Sequence, residues 1–477
     1  MHRRRPIRLA AVGLVVCLVP ALVACQGGEK DDPPSPESSQ SSPTSTPSPE
    51  TGPVTLGVFG REEELNAFES IVRDYNTTSQ TGQVELEQWA DKGAALQGIE
   101  DGDPPDVFMI SRRDLPGLLA RNALRPVDEL LDERGVDFGD GFARGAVQSF
   151  GVDARLQCMA YSVSPEVMYI NTDLVDFDKM ARRGLNVPNP DRQEFWSLAE
   201  FTAAAEFASR PARGTRGFYV EPTVRGLAPY IYSGGGHVFD DEDDPKSLAF
   251  SDGDTRDALE RSLAVLRDAQ LTLTDGQLKK ASPQEWFERG KLGILAGQRD
   301  LVPGLRAVPG LNFDAISMPV LDSAATVGDI TGLCISADAP DPQAAADVIA
   351  DLISDEAVQK VVSAGFMVPA NSTVAGSDAF LQPTRAPATS TVFNASIRGM
   401  VIPPLVGTGH RLEMAESDLI EQLLRSPGEL DLEAVTEQID EVSRPILDPD
   451  YVPESESPGS TEGSSESPSS TESSGSD

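Results

Sequence analysis

Histidine, the residue most often used for acid–base and metal chemistry, is sparse in this 477-residue chain. Its only histidines are His2, His237 and His410, and none of them has a partner at metal-ligand spacing. Histidine is the commonest catalytic base, and the G-x-S-x-G, H-E-x-x-H and S-x-x-K signatures are absent. We therefore expect no metal, no cofactor and no catalytic residue. The 76 acidic residues keep one alternative open, a secreted carbohydrate-active hydrolase with paired carboxylates.

The N-terminus has the pattern of an export signal. Arg3, Arg4 and Arg5 precede an apolar run over residues 9–24, which is shorter than the roughly 20 residues that a membrane span needs. We expect residues 1–24 to be a signal peptide. The Arg4–Arg5 pair also suits a twin-arginine signal, so the export route stays open.

The four cysteines have different expected roles. Cys17 lies in the signal, and Leu22-Val23-Ala24-Cys25 resembles a bacterial lipobox, in which the cysteine thiol receives diacylglycerol. Two acyl chains anchor stably, since each buried methylene contributes about 0.8 kcal/mol. The mature chain would then begin at Cys25, on the outer face of the cell membrane. Cys158 and Cys334 remain, and an exported pair is more often a disulfide than two free thiols.

Two segments have compositions that cannot support a packed core. Residues 25–52 and 451–477 are rich in Pro, Ser, Thr, Asp and Glu and contain almost no apolar side chains. We predict a disordered tether and a disordered acidic tail. The formal net charge of -37, with no basic stripe, argues against nucleic acid as a partner.

Between these segments the pattern alternates strand and helix. Residues 54–59 predict a strand, and 62–75 place Leu, Phe, Ile, Val and Tyr on one helical face. "GQVELEQW" predicts a second strand, and "DVFMI" at 106–110 suits a central parallel strand covered on both sides. We expect a doubly wound α/β unit here.

The alternation resumes after residue 195. "EFWSLAEFTAAAEFA" predicts a helix, a second helix is capped by Asp254, and "TGLCIS" at 331–336 predicts a strand. Gly234–Gly236 and the acidic run at 240–244 predict a loop feeding a hairpin, and this run lacks the glycine and glutamate of a calcium loop. Further helices are predicted at 284–290, 342–353, 355–364, 411–425 and 431–443.

Short motifs follow one another in a fixed order along residues 54–447. They are "VTLGVFG…AFESIVRDYN", "IEDGDPPDVFMIS", "SVSPEVMYINTDL", "FWSLAEF", "YIYSGGGHVFD", "WFERGKLGIL" and "GFMVPANSTV". Each motif is weak alone, but their order and spacing resemble the extracellular solute-binding proteins of carbohydrate ABC transporters, the family of maltose-binding protein.

This resemblance implies a two-lobed α/β fold with a hinge and a ligand cleft between the lobes. On that pattern the first lobe takes 54–163 and 335–380, and the second takes 168–331 and 385–450. A Cys158–Cys334 disulfide would then cross-link neighbouring segments of the hinge region. The resemblance further implies a monomeric receptor that binds a sugar or a polar sugar derivative and delivers it to an ABC permease.

Candidate ligand-binding residues are carried over by position from this resemblance. They are Arg61, Glu62, Trp89 and Arg112 on the first lobe, and Tyr161, Tyr230, Tyr232, Arg299, His410 and Arg411 on the crossover and the second lobe. Core packing is the competing interpretation of each aromatic residue. Trp89 and Tyr232 are the stronger candidates, because strand ends and a Gly-rich loop are expected to face the cleft.

The sequence departs from the family pattern at two places. Arg299 stands where the family often has a tryptophan, and His410–Arg411 stands where an aromatic platform is common. Guanidinium groups favour an anionic or strongly polar ligand, because arginine pairs with carboxylate or phosphate in bidentate geometry. Salt bridges across the cleft are the alternative for these arginines. A cell-surface scaffold that has lost transport is a further alternative for the whole chain.

Overall fold

The computed structural model describes residues 52–79, 82–189 and 195–452. The predicted signal peptide, Cys25, the tether up to residue 51 and the tail from residue 453 onward lie outside the described residues.

Most strands are short and belong to two sheets. They are β1 (Val54–Phe59), β2 (Val84–Trp89), β3 (Val107–Ser111), β4 (Leu124–Arg125), β5 (Gly151–Val152), β6 (Arg155–Leu156), β7 (Cys158–Pro165), β8 (Val167–Asn171), β9 (Arg216–Tyr219), β10 (Leu292–Gly297), β11 (Phe313–Ile316) and β12 (Gly328–Ser336).

Helices connect and cover these strands. They are α1 (Glu62–Thr78), α2 (Lys92–Asp101), α3 (Leu115–Ala120), α4 (Asp128–Asp132), α5 (Arg144–Gln148), α6 (Phe177–Arg182), α7 (Leu198–Ala208), α8 (Val224–Ser233), α9 (Gly253–Leu266), α10 (Asp275–Leu278), α11 (Pro283–Glu288), α12 (Leu301–Ala307), α13 (Pro342–Leu352), α14 (Asp355–Val362), α15 (Ser372–Ala375), α16 (Asp378–Leu381), α17 (Thr391–Ile397), α18 (Gly409–Arg425) and α19 (Leu432–Leu447). Turns of 3₁₀ helix lie at Arg112–Asp114 and Pro211–Arg213.

The first sheet has six strands, in the order β2-β1-β3-β12-β4, with β7 also paired to β12. β1 is parallel to β2 and β3, as the sequence predicts, whereas β12 is antiparallel to β3, β4 and β7. The sheet is therefore mixed rather than purely parallel. β3 lies between β1 and β12, and all five of its residues are buried, which explains its continuous apolar sequence.

The second sheet has the strand order β11-β8-β10-β9. In β8, Val167 and Tyr169 belong to the core shared with the first sheet, whereas Met168 and Ile170 face a second core. This alternation is the two-residue period of a strand. The larger core therefore covers the first sheet and one face of the second, and α7, α8, α9, α18 and α19 contribute to the smaller core on the other face.

The chain passes between the two sheets at two places. Only Glu166 separates β7 in the first sheet from β8 in the second, and the chain returns between β11 and β12. Cys158 and Cys334 are direct partners in the antiparallel β7–β12 pair and form a disulfide, with Cα atoms 4.3 Å apart. The disulfide therefore fastens two strands of the first sheet that lead into these connections.

Two local expectations differ from the structure. Gly234–Gly236 form a turn and irregular chain after α8, as the sequence predicts, and Thr223 caps this helix by accepting a hydrogen bond from the backbone N–H of Gly226. The predicted hairpin after it is reduced to a single bridge between Phe239 and Leu248. The N-cap of α9 is Asp252, whose carboxylate accepts from the backbone N–H of Asp254, the residue predicted as the cap.

Candidate ligand-binding site

A cavity of about 490 Å³ lies between elements of the first sheet and helices of the second core. α2 and the 3₁₀ turn after β3 line one side, α8 and α18 line the other, and the segment 403–407 closes one end. A wider depression of about 660 Å³ is lined only by α9 and the segment that leads into α19. The cavity is therefore the better candidate for a site that both halves of the fold complete.

Arg112 is the main cationic side chain on the first-sheet side of the cavity. It follows the buried end of β3, so the strand holds its backbone in place. Its Nε donates to the carbonyl oxygen of Ser149 at 2.9 Å, and its Nη1 donates to that of Pro403 at 2.8 Å. Burial lowers the pKa of Arg112 to about 10. The described residues thus offer this cation two neutral carbonyl oxygens and no carboxylate.

Glu416 is the main anionic side chain on the opposite side. It lies on α18 with only 2% of its surface exposed, and it lines the cavity. Its Oε2 atom has no hydrogen-bond partner among the described residues. Burial raises the pKa of Glu416 to about 7, and the charge of Glu413 adds to that rise. Glu416 is therefore a buried carboxyl group whose hydrogen-bonding capacity is incompletely used.

The remaining walls of the cavity are mainly apolar. Phe239 and Tyr232 supply the aromatic rings, and the Tyr232 hydroxyl donates to Glu242 Oε1 at 3.2 Å. Thr223, Tyr232 and His410 are the only neutral polar side chains among the described lining residues. Aliphatic side chains and prolines form most of the rest: Leu96, Val224, Ala228, Val238, Val327, Pro403, Pro404, Leu405, Val406 and Leu412.

A second group of charges, which we call the Asp329 cluster, adjoins the cavity. Asp329 Oδ1 lies 3.1 Å from Arg113 Nη2 and 3.1 Å from Arg225 Nη1. Its Oδ2 lies 3.7 Å from Lys92 Nζ and accepts from Gln298 Nε2 at 3.3 Å. Lys92 and Arg113 belong to the first-sheet side, whereas Arg225 and Gln298 belong to the second. One carboxylate on β12 therefore joins polar groups from both halves of the fold.

Two further carboxyl groups near the connections between the sheets have raised pKa values. Burial raises the pKa of Glu64, at the start of α1, to about 7, and the charge of Asp300 contributes. Burial likewise raises the pKa of Glu166 to about 7, and the charges of Glu221 and Asp329 add to it. Burial, with a smaller contribution from neighbouring carboxylates, therefore disfavours the charged form of both groups.

Three of the predicted site residues line the cavity together. Arg112 contributes from the end of β3, Tyr232 from the last turn of α8, and His410 from the first turn of α18. The other seven lie elsewhere.

Four predicted residues are buried away from the cavity. Trp89 is 8% exposed and packs against Gly57 and Gly98, where its ring occupies the space that a Cβ atom would need. Tyr161 and Tyr230 are buried in the two cores, and the hydroxyl of each lacks a partner among the described residues. These aromatic rings therefore match the packing interpretation in this conformation.

Arg299 has no exposed surface. Its guanidinium donates to the carbonyl oxygens of Gly365 and Phe380 and to the hydroxyl of Ser390, and it lies over the rings of Phe380 and Phe393. In this conformation a ligand has no part of Arg299 to contact, and the side chain joins the end of β10 to the segment that carries α16 and α17. Arg299 therefore has a packing role in this conformation and does not contact a ligand as the sequence predicts.

The remaining predicted residues are exposed. Arg61 and Glu62 lie at the N-terminus of α1. Burial raises the pKa of Asp300, and the positive charge of Arg61 partly offsets that rise. Arg411 is exposed on the first turn of α18 and is not among the residues that line the cavity.

Sequence reasoning missed Glu416 and Asp329. A signal for Glu416 was present, because Leu412, Glu416 and Ile420 recur at four-residue spacing on the buried face of α18. A carboxylate within such an apolar row is unusual enough to mark a site. Asp329 had no comparable local signal, since its partners come from four separate segments.

No group of His, Cys, Asp or Glu among the described residues has a metal-binding arrangement. No helix within the described ranges has the length and apolarity to cross a membrane.

The comparisons with known proteins address the fold and the family. The family model described as bacterial extracellular solute-binding protein matches residues 70–388, about two-thirds of the chain. The chain belongs to this family. The resemblance read from the sequence motifs is therefore confirmed at the level of the family, whose members are binding proteins that act outside the cytoplasm. A comparison with curated protein sequences gives no match.

Solved structures of similar fold are two-lobed substrate-binding proteins, which confirms the predicted fold class. An ABC substrate-binding protein of Listeria monocytogenes in complex with cycloalternan has 19% identity and a TM-score of 0.67, over 82% of this chain and 98% of that one. The GacH receptor of Streptomyces glaucescens, described with acarbose, has 16% identity and a TM-score of 0.65, over 84% and 100%. UgpB of Mycobacterium tuberculosis, in complex with glycerophosphocholine, has 17% identity and a TM-score of 0.65, over 84% and 99%.

Proposed function

We propose that this protein is the substrate-binding receptor of an ABC importer, which captures a sugar or a polar sugar derivative and delivers it to a membrane permease. The observation that carries the proposal is the cavity between the two halves of the fold, lined by a cation and a carboxyl group that lack partners of opposite charge. Several fold relatives are described with carbohydrates bound, which supports this ligand class.

The physical basis of the function is differential binding by an open and a closed form. A ligand that contacts both walls of the cavity binds the closed form more tightly and so shifts the population toward it. A micromolar ligand needs about -8 kcal/mol. A few hydrogen bonds of about 1 kcal/mol each, together with the buried apolar walls, could supply this after the costs of binding.

The division into lobes is part of the proposal. The first lobe would comprise 54–163 and 335–380, and the second 168–331 and 385–450, with the disulfide close to the hinge. Arg112, Tyr232 and His410 are the proposed ligand contacts among the sequence candidates, because they line the cavity together. Arg61, Glu62 and Arg411 are retained as proposed contacts at the rim.

We also propose that the receptor is a monomer held at the outer face of the membrane by a diacylglyceryl group on Cys25. The lipobox-like sequence and the polar stretch after it support this anchor. Replacement of Cys25 by Ser should release the protein or leave it unprocessed, as measured by membrane fractionation and by labelling with a fatty acid. Unchanged lipidation in the C25S variant would contradict the assignment.

Titration of the purified protein with a panel of neutral sugars, sugar phosphates and zwitterionic phosphodiesters tests the receptor function. Saturable binding of one class, measured by calorimetry, with no chemical change in the ligand is the expected result. Turnover of a ligand would contradict the proposal in favour of a hydrolase. Failure of every class to bind would contradict it in favour of a protein that no longer transports.

A further inference from the structure

Arg112 and Glu416 are ionisable side chains that line the cavity without a partner of opposite charge among the described residues. Arg112 is held by two carbonyl oxygens, and Glu416 Oε2 has no hydrogen-bond partner among the described residues. The two side chains do not form a salt bridge with each other, although both line the same space. Removing a charge from water without pairing it is costly. A ligand that supplies the missing charges would therefore gain more from these two groups than a neutral one.

The rest of the lining is poorly suited to a ligand rich in hydroxyl groups. A polyhydroxylated sugar needs a donor or acceptor for most of its hydroxyls, because a buried unpaired hydroxyl costs free energy. Among the described lining residues the neutral polar side chains are Thr223, Tyr232 and His410, and asparagine, glutamine, serine and tryptophan are absent. Aliphatic residues and prolines are the largest group in the lining, and the charged side chains of Glu100, Arg113 and Arg225 are already engaged in ion pairs. These walls favour methyl and methylene groups over hydroxyls.

The Glu416 side of the cavity has the composition of a site for a cation. Glu413 and Glu416 both line it, one helical turn apart on α18. The rings of Tyr232 and Phe239 line the same cavity, and the face of an aromatic ring attracts a cation within about 6 Å of its centre. Arg113 and Arg225, which also line the cavity, are already engaged by Asp329. Glu416 is therefore available to a cationic group from outside the protein.

We propose that the cavity selects a small zwitterionic solute, whose anionic group pairs with Arg112 and whose cationic group lies against Glu416 and the rings of Tyr232 and Phe239. This inference rests on the proposed receptor function, and it replaces the sugar named there with a zwitterionic ligand. The bulk of the ligand would lie against the aliphatic walls. Neutral oligosaccharides would bind more weakly, since they leave both charges unpaired.

Titration calorimetry with compounds that separate the two charges tests the proposal. The probes are glycerophosphocholine and carnitine, which carry both charges, glycerol 3-phosphate, which carries only negative charge, choline, which carries only positive charge, and maltose, which carries none. At least one of the first two should bind about tenfold or more tightly than each of the last three.

The Glu416→Gln variant identifies the residue responsible. It should weaken binding of the zwitterion by about tenfold or more while changing the affinity for glycerol 3-phosphate by less than about twofold. Asp418→Asn is the matched control, since Asp418 is exposed on the same helix, lies outside the cavity lining and loses the same charge. Melting temperatures of the two variants would show that both remain folded.

The outcomes separate this inference from the function on which it rests. If maltose or another neutral sugar binds and neither zwitterion binds more tightly, the zwitterion proposal is overturned and the receptor function stands. If Glu416→Gln and Asp418→Asn have equal effects on zwitterion binding, the role of Glu416 is overturned. If none of these probes and no member of the wider panel binds, the receptor function itself fails.

Discussion

Two neighbouring groups of charges lie between the halves of this molecule, and they differ in how well their charges are paired. In the Asp329 cluster, one carboxylate meets Lys92, Arg113, Arg225 and Gln298 within 3.7 Å. In the adjoining cavity, Glu416 Oε2 has no partner within the described chain. Both groups contain residues from the two sides of the fold, so position alone does not explain the difference.

The difference indicates a division of roles. A carboxylate that several donors share can hold the two sides in register, because losing it would leave those donors without their anion. An unpaired buried carboxyl group reduces stability unless another molecule completes it. We therefore interpret the Asp329 cluster as a structural connection and the cavity as the place where a ligand supplies the missing interactions.

The largest effect on stability is expected from the Cys158–Cys334 disulfide, which fastens β12, the strand that also carries Asp329. The cysteines are separated by 176 residues, and closing so long a loop reduces the entropy of the unfolded chain. Replacing both cysteines by Ser should lower the free energy of unfolding by about 5 kcal/mol. Denaturant unfolding measures this. A loss equal to that caused by reduction of the wild-type protein supports the account, and no loss in either experiment would contradict it.

The next largest effect is expected from Asp329→Asn, which would break the paired cluster. The change leaves two arginines and a lysine without their shared anion, and only 20% of the Asp329 side chain is exposed. We expect the free energy of unfolding to fall by about 2 kcal/mol. This is less than the loss typical of a fully buried ion pair, because water partly screens the charges at this site.

The matched control is Asp338→Asn, an exposed carboxylate just beyond the end of β12. It should change the free energy of unfolding by less than about 0.5 kcal/mol. Equal values for the two variants would remove the structural role assigned to Asp329.

A smaller effect is expected from the pH dependence of Glu416. Burial raises the pKa of this group in the folded protein to about 7, above its unfolded value of 4.5. The folded state therefore holds a proton that the unfolded state releases, and this contribution to stability is present below about pH 4.5 and is lost as the pH rises to about 7. Glu64 and Glu166 contribute in the same direction.

The Glu416→Gln variant isolates that contribution. Between pH 5 and pH 8 its free energy of unfolding should fall less than that of the wild type, by an amount on the order of 1 kcal/mol. The Asp418→Asn variant should follow the wild-type curve. An identical pH dependence in wild type and Glu416→Gln would show that Glu416 is not held in the environment described here.

The sequence predicts the local elements of this fold well, because their signals lie within single segments. α1 shows an apolar helical face, and β3 is apolar along its length. Motif order then predicts the family and the two-lobed fold. The antiparallel pairing of β12 is not predicted, because strand direction depends on how the chain returns from the second sheet.

The candidate site is predicted less completely, for a related reason. Motif position indicates which residue stands at a strand end or helix end, but the direction of its side chain depends on tertiary packing. Arg112 lines the cavity, whereas Trp89 turns into the core against Gly57, and Arg299 turns toward backbone carbonyl oxygens. In the sequence, Glu416 is one of many carboxylates. Only its position on the buried face of α18 distinguishes it from the surface ones.

We infer that the cavity is incomplete without a solute and that Glu416 helps to hold it. A native mass spectrum of wild type and Glu416→Gln, both purified without dialysis, measures this. We expect a bound small molecule on the wild-type protein and a markedly lower occupancy on Glu416→Gln. Equal occupancy on both proteins, or no bound mass on the wild type even after incubation with a cell extract, would contradict it.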